Sequence, residues 1–218
     1  MIRISRSKLL FIHIPKTAGS SITSVLMDPA NGGELFLGKH SDLAALGACP
    51  EMALHEWSIF TVIRNPFEQV LSFYHHLRKP LYMSHAQLSK DYPGFNGRLL
   101  PEWACEIAMS NNFSDYARII YSDENKDAPQ ARWFRDLTCW FLPSIPSVRS
   151  IDFIRHENLV AETERLFARH DIIGTLKHLG ASSRLSLTPS YHDVYCQETR
   201  SLVEARFCTT LEMFNYGF

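Results

Sequence analysis

The chain alternates between short apolar runs and stretches whose apolar positions recur every three or four residues. Leu9-Leu10-Phe11-Ile12, followed by His13 and Ile14, is dense in large apolar side chains and is closed by Pro15. Such a run predicts a buried strand. Beyond it, Ile22, Val25 and Leu26 fall at helical spacing. The pattern repeats from Trp57 to Tyr74. Ser58 to Ile63 predicts a second strand, and Phe67, Val70, Leu71 and Tyr74 form the apolar stripe of a helix. Asn65 suits that helix's cap and Pro66 its first position. A third strand is expected within Val148 to Ile154, followed by a helix through Phe167 with Leu159, Val160, Leu166 and Phe167 turned inward.

Between these units the pattern is weaker. Ser41 or Asp42 caps a short helix carrying Leu43 and Leu46, ended by Pro50. Helices are expected over Pro101 to Met109 and Phe113 to Tyr121, and a last one over Gln197 to Phe207. Residues 28–33, 91–97, 122–129 and 182–191 read as loops. No repeat, low-complexity tract or linker divides the chain, so residues 1–218 read as a single domain. Residues 78–148 are expected to form a helical cap that shapes an acceptor region. Repeated strand–loop–helix units predict an α/β fold, a three-layer open parallel sheet flanked by helices. In such sheets ligands bind beyond the carboxyl ends of the strands.

Composition narrows the function. The formal net charge is -1, so no general attraction to nucleic acid or to an anionic membrane is expected, and any anion site must be local. The five cysteines are scattered without a CxxC pair, which argues for reduced thiols in a cytoplasmic compartment and against a zinc site. Arg3, Arg6 and Lys8 precede an apolar run too short for a signal sequence, and no later run is long enough for a membrane span.

The chemistry concentrates where the predicted strands give way to helices. After the first strand come Lys16, Thr17, Ala18, Gly19, Ser20 and Ser21. A helix N-terminus has unpaired N–H groups and partial positive charge, and a loop entering it can wrap an anion. Gly19 lets the backbone approach closely, the hydroxyls can donate, and Lys16 brings a full charge. The order of Lys and Gly rules out a Walker A loop. The second strand ends in Arg64, eight residues before Ser72, and both could face one anion. His40 lies just ahead of a cap, and its spacing alone reads as a surface histidine.

These residues resemble a known family. Ile12-His13-Ile14-Pro15-Lys16-Thr17-Ala18-Gly19-Ser20-Ser21 is similar to the 5′-phosphosulfate loop of sulfotransferases that use 3′-phosphoadenosine 5′-phosphosulfate (PAPS). Val62-Ile63-Arg64-Asn65-Pro66 with Leu71-Ser72-Phe73-Tyr74 resembles their 3′-phosphate motif. Gly38-Lys39-His40, the stretch Asp152 to Leu159 and the aromatic tail Phe214 to Phe218 resemble the carbohydrate-type branch that includes heparan sulfate 2-O-sulfotransferases. Glu68-Gln69 and Asn215 depart from that pattern, and the loop from Ser182 to Tyr191 lacks a basic cluster, which weighs against Arg184 as a phosphate contact.

The resemblance implies a P-loop-like sulfotransferase fold and transfer of a sulfuryl group from PAPS to an acceptor hydroxyl, on a small molecule or a glycan, without a metal. It assigns Lys16, Thr17, Ala18, Gly19, Ser20, Ser21, Arg64 and Ser72 to the cofactor, and Lys16 and His40 to catalysis. His40 is the favoured base, with Glu157 as its rival. Two other classes stay open: a nucleotide-dependent small-molecule kinase, and a sulfotransferase-like protein that binds without catalysis.

Overall fold

The structure, a computed structural model, describes residues 1–49, 53–91, 101–122, 124, 133–142, 150–176 and 190–218. In chain order its elements are β1 (Ile2–Ile4), β2 (Leu9–Ile12), α1 (Gly19–Leu26), β3 (Glu34–Leu35), α2 (Leu43–Gly47), β4 (Ser58–Ile63), α3 (Pro66–Leu77), α4 (His85–Asp91), α5 (Glu102–Ser110), α6 (Phe113–Tyr121), α7 (Leu137–Phe141), β5 (Ile151–Arg155), α8 (Leu159–Arg169), α9 (Tyr191–Val194), α10 (Gln197–Arg206) and α11 (Cys208–Phe214). The expected features at Pro50, Tyr92 to Gly97, residues 125–129, Val148 and Ser182 to Pro189 lie outside the described residues. The chain forms two compact units, one of residues 1–64 and 137–184, the other of residues 65–136 and 185–218.

The first unit holds a five-stranded sheet in the order β3-β1-β2-β4-β5, flanked by helices. Strands β2, β4 and β5 run parallel, with Ile12 opposite Thr61 and Ile63 opposite Arg155. They are the three strands expected from the apolar runs. The sheet is nevertheless not parallel throughout. β1 pairs antiparallel with both β2 and β3. The cause is a reversal of only a few residues: a 3-10 turn over Ser5–Ser7 leads into Lys8, which is left-handed at φ 46°. So short a link can only fold the chain back as a hairpin, because a parallel return needs a long crossover.

Register explains the core. Ile2, Ile4, Leu9, Phe11, Phe60, Val62 and Ile154 share one face and pack with Ile22, Val25 and Leu26 of α1 and with Leu166 and Phe167 of α8. Each such side chain contributes about 1.5–3 kcal/mol on burial. Leu10, Ile12, Ile59, Thr61 and Ile63, on the alternate positions, are also buried, so these strands are covered on both faces. A buried amide completes the unit. Asn31 donates to the carbonyls of Val25 (2.8 Å) and Ile173 (2.7 Å), and its Oδ1 accepts from the Ile173 N–H (2.8 Å).

The second unit is helical among its described residues. Asn65 accepts from the Phe67 N–H at 3.0 Å and Pro66 opens α3, as the sequence predicts. Phe67, Val70, Leu71, Tyr74 and Leu77 of that helix are buried. Arg78 closes the C-terminus of α5, donating to the carbonyls of Ala108 (2.7 Å) and Asn111 (2.9 Å). Beyond α11, Phe218 meets Phe67 edge-on at 5.0 Å between ring centroids, and Asn65 Nδ2 donates to Gly217 O at 2.9 Å. The aromatic tail thus docks, as its composition suggests.

Candidate functional site

The site is built at the carboxyl ends of β2 and β4. After β2 the chain reaches Lys16 and Ala18, both left-handed, at φ 69° and 66°. Non-glycine residues seldom adopt this region, and such strain clusters where backbone must serve a function. A turn of this kind gathers successive N–H groups into an anion-binding concavity. Ala18 caps α1 without any side-chain hydrogen bond. Among the described residues, the N–H groups of Ala18, Gly19 and Ser20 have no protein acceptor. These are the donors a 5′-phosphosulfate needs, so the loop fits an anion of that class.

The hydroxyl residues divide by role. Thr17 is buried and its Oγ1 donates to Ile14 O at 2.8 Å, so this hydroxyl braces the loop from within. Ser20 is exposed beside the helix start, while Ser21 is buried. The Ser21 N–H donates to Ala18 O at 3.0 Å, which spends it inside the first turn. Lys16 is half-buried at the rim.

Arg64 follows the last residue of β4 and is half-buried. Its Nη1 donates to Lys16 O at 3.1 Å, so the guanidinium grips the loop as well as presenting charge beside it. Ser72, in the second unit, sits half-buried on α3. His156 was not expected to bear on the site. It follows Arg155, the register partner of Ile63, and so occupies on β5 the place that Arg64 occupies on β4. Burial, and then the positive charge of Arg64, push its pKa down to about 4. Glu157, next to it, is exposed.

His40 is drawn to the same edge. Asp42 caps α2 by accepting from the Ala45 N–H at 2.8 Å, and Leu43 and Leu46 anchor that helix in the core. The Met1 nitrogen donates to the carbonyls of Gly38 (2.5 Å) and Lys39 (3.2 Å), which pins the segment leading to His40. His40 Nδ1 lies 3.1 Å from His13 O. A carbonyl only accepts, so Nδ1 carries the proton, and Nε2 of the neutral ring carries the lone pair. Burial lowers the His40 pKa and its hydrogen bond to His13 raises it, the former prevailing. A half-buried imidazole, neutral near pH 7 and fixed in one tautomer, has the form of a general base.

His13 is the other participant that sequence patterning passed over. It is buried, stacks on Phe11 with centroids 5.7 Å apart, and lies 4.5 Å from the His40 ring. A polar residue inside an otherwise apolar run was the available signal. No group of three His, Cys, Asp or Glu side chains among the described residues is arranged to hold a metal ion. None of the five cysteines is in a disulfide, and no helix among the described residues is long and apolar enough to cross a membrane.

A loop of backbone donors closed by an arginine, with a neutral histidine at the same sheet edge, is suited to holding an anion. The chain belongs to the sulfotransferase family, whose family model matches residues 1–217. No curated protein matches the chain significantly.

Proposed function

We propose that this protein transfers the sulfuryl group of PAPS to a hydroxyl of a carbohydrate acceptor and releases adenosine 3′,5′-bisphosphate (PAP). The observation that carries this reading is the left-handed loop at the head of α1, held by Arg64 and presenting unpaired N–H groups. Family membership supports sulfuryl transfer in general. PAPS as donor and a carbohydrate as acceptor follow from the resemblance of the loop, of Arg64 and Ser72, and of Gly38-Lys39-His40 to the carbohydrate-type branch.

Bound PAPS supplies the activated sulfuryl group. The N–H groups of Gly19 and Ser20 and the Lys16 ammonium stabilise negative charge as it builds on the leaving phosphate. Ala18 adds a third backbone donor. The planar fork of the Arg64 guanidinium suits a 3′-phosphate. His40 Nε2 takes the proton of the acceptor hydroxyl while that oxygen bonds to sulfur and the bond to the leaving phosphate breaks. His40 is favoured over Glu157 because its tautomer and orientation are fixed by His13 O. Ser72→Ala tests the assignment of that hydroxyl to the 3′-phosphate. The scattered spacing of the five cysteines supports a reducing, cytoplasmic compartment.

The test is thermal unfolding with PAP, ATP or AMP, each with and without Mg²⁺. A ligand at a hundred times its Kd adds about 2.7 kcal/mol, which raises the midpoint of a chain this size by roughly 5–10 °C. Stabilisation by PAP alone, independent of Mg²⁺, is the expected result. Stabilisation by ATP with Mg²⁺ and none by PAP would overturn the proposal in favour of a kinase. Transfer of labelled sulfate from PAPS across a glycan panel then identifies the acceptor, and binding of PAP with no transfer to any hydroxyl would leave a binding protein.

A further inference from the structure

Gly19 is not glycine for the usual backbone reason, since its φ lies outside the left-handed region. It opens a helix, where alanine would be the better helix former. What excludes a side chain is His13. A Cβ on Gly19 would lie 1.9 Å from His13 Cδ2, 2.0 Å from Nε2 and 2.6 Å from Cγ. The imidazole therefore fills the space in which a Cβ would stand. Its other neighbours are the stacked ring of Phe11 and the tilted ring of His40, at 56° to it. His13 is 4% exposed, and its Nδ1 is buried with no hydrogen-bond partner among the described residues. An unpaired nitrogen in such a place is costly and calls for a reason.

We infer that His13 is a positioning residue: its ring is the common seat of Gly19 at the head of α1 and of His40, and it fixes the anion loop and the base relative to each other. The functional part of this inference rests on the reading of that loop and of His40 as donor grip and base. One residue does this through two groups. The ring sets how far the first N–H groups of α1 stand from β2, and the carbonyl orients His40. The charged and titratable groups around the ring are His40, Lys39, the Met1 nitrogen and Lys16. Burial first, and then each of these charges, opposes a proton on His13, so it stays an uncharged spacer.

The experiment compares Gly19→Ala, His13→Ala and the double variant with the wild type, reading unfolding midpoint and PAP affinity. Gly19→Ala is expected to lower the midpoint by roughly 5–10 °C, as overpacking does. PAP affinity should fall about a hundredfold, because the loop is displaced. In the double variant the space left by the ring accepts the new methyl, so the midpoint recovers above that of Gly19→Ala. A double variant no more stable than Gly19→Ala overturns the seat. The second readout is the NMR titration of the His40 ring, which needs no acceptor. His13→Ala opens the space beside His40 to water, so the His40 midpoint moves up toward the ordinary 6.5. An unmoved midpoint overturns the link to His40. If His13→Ala does not fold, His13→Phe keeps a ring in place and is expected to bind PAP within about threefold of wild type. Loss of PAP binding in a folded His13→Phe also overturns the inference. Failure of the wild type to bind PAP would sink the donor reading alone, and the stability and His40 readouts would still decide the seat.

Discussion

The Arg64 guanidinium reaches across from the end of β4 to donate to the carbonyl of Lys16, 3.1 Å away. The contact spans 48 positions of sequence and joins two motifs that a reader of the chain would assign to two different phosphates. Arg64 thus braces Lys16 in its left-handed conformation. Arg64→Lys keeps the charge and loses the fork. Calorimetric titration of PAP is expected to show affinity lowered by about ten- to a hundredfold, matching the loss of one charge-assisted bond at about 1.5–3 kcal/mol. Arg64→Ala should abolish the stabilisation by PAP.

Thr17 separates bracing from binding. Its hydroxyl donates to Ile14 O in a buried setting, so Thr17→Val leaves that carbonyl unpaired at a cost of about 1–3 kcal/mol. Thr17→Ser keeps the donor and should stay near wild type. Chemical denaturation of both variants checks this. Equal stability of the two would show that the bond contributes nothing to the loop.

Removing the proposed base should uncouple chemistry from binding. His40→Ala is expected to lower sulfate transfer by about 10²- to 10⁴-fold while PAP binding is kept within a few fold. Glu157→Gln, at an exposed position, should retain most transfer. The reverse ranking would make Glu157 the base.

Acid should unfold the first unit through its histidines. His156 titrates near pH 4 when folded, against an ordinary value of 6.5. Between those values the unfolded chain holds more protons, so stability rises with pH. The contribution, roughly 3 kcal/mol, is complete above the unfolded value and is lost as pH falls through the folded one. The pKa values of His13 and His40 are also lowered, and they act in the same direction. Unfolding midpoints measured from about pH 7.5 down to 4.5 should fall, and His156→Gln should flatten part of the slope. An unchanged slope in that variant would place the acid sensitivity elsewhere.

The parallel half of the sheet was legible because each of its strands is an apolar run bounded by polar or turn residues. β4 and α6 fall where the periodicity puts them, and the Asn65-Pro66 helix start is as read. β1 was not legible. Three residues with an arginine in the middle carry too little pattern to announce a strand. β3, with two exposed residues, gives no periodic signal at all. At the site, the loop and Arg64 could be found because charge and glycine next to a strand end are conspicuous. The partnership of His156 with Arg64 could not, since it depends on the pairing of Ile63 with Arg155, and register is not written in either strand alone. In the sequence Gly19 signals openness to a ligand, whereas the space it leaves is taken by a residue six positions earlier.

The antiparallel strand carries a consequence of its own. Because β1 runs against β2, Met1 stands at the edge where β2 ends, and from there it holds the segment that bears His40. The anion loop and Arg64 hang instead from the parallel strands. On the proposed reading, base and donor grip would therefore be inherited from two different parts of the sheet, joined through His13. Variation along β1, β3 and the turn after them can retune what is deprotonated while the donor's cradle is left as it was. If the proposed roles hold, a lineage built on this plan could change its acceptors without having to reinvent its grip on the sulfate it gives away.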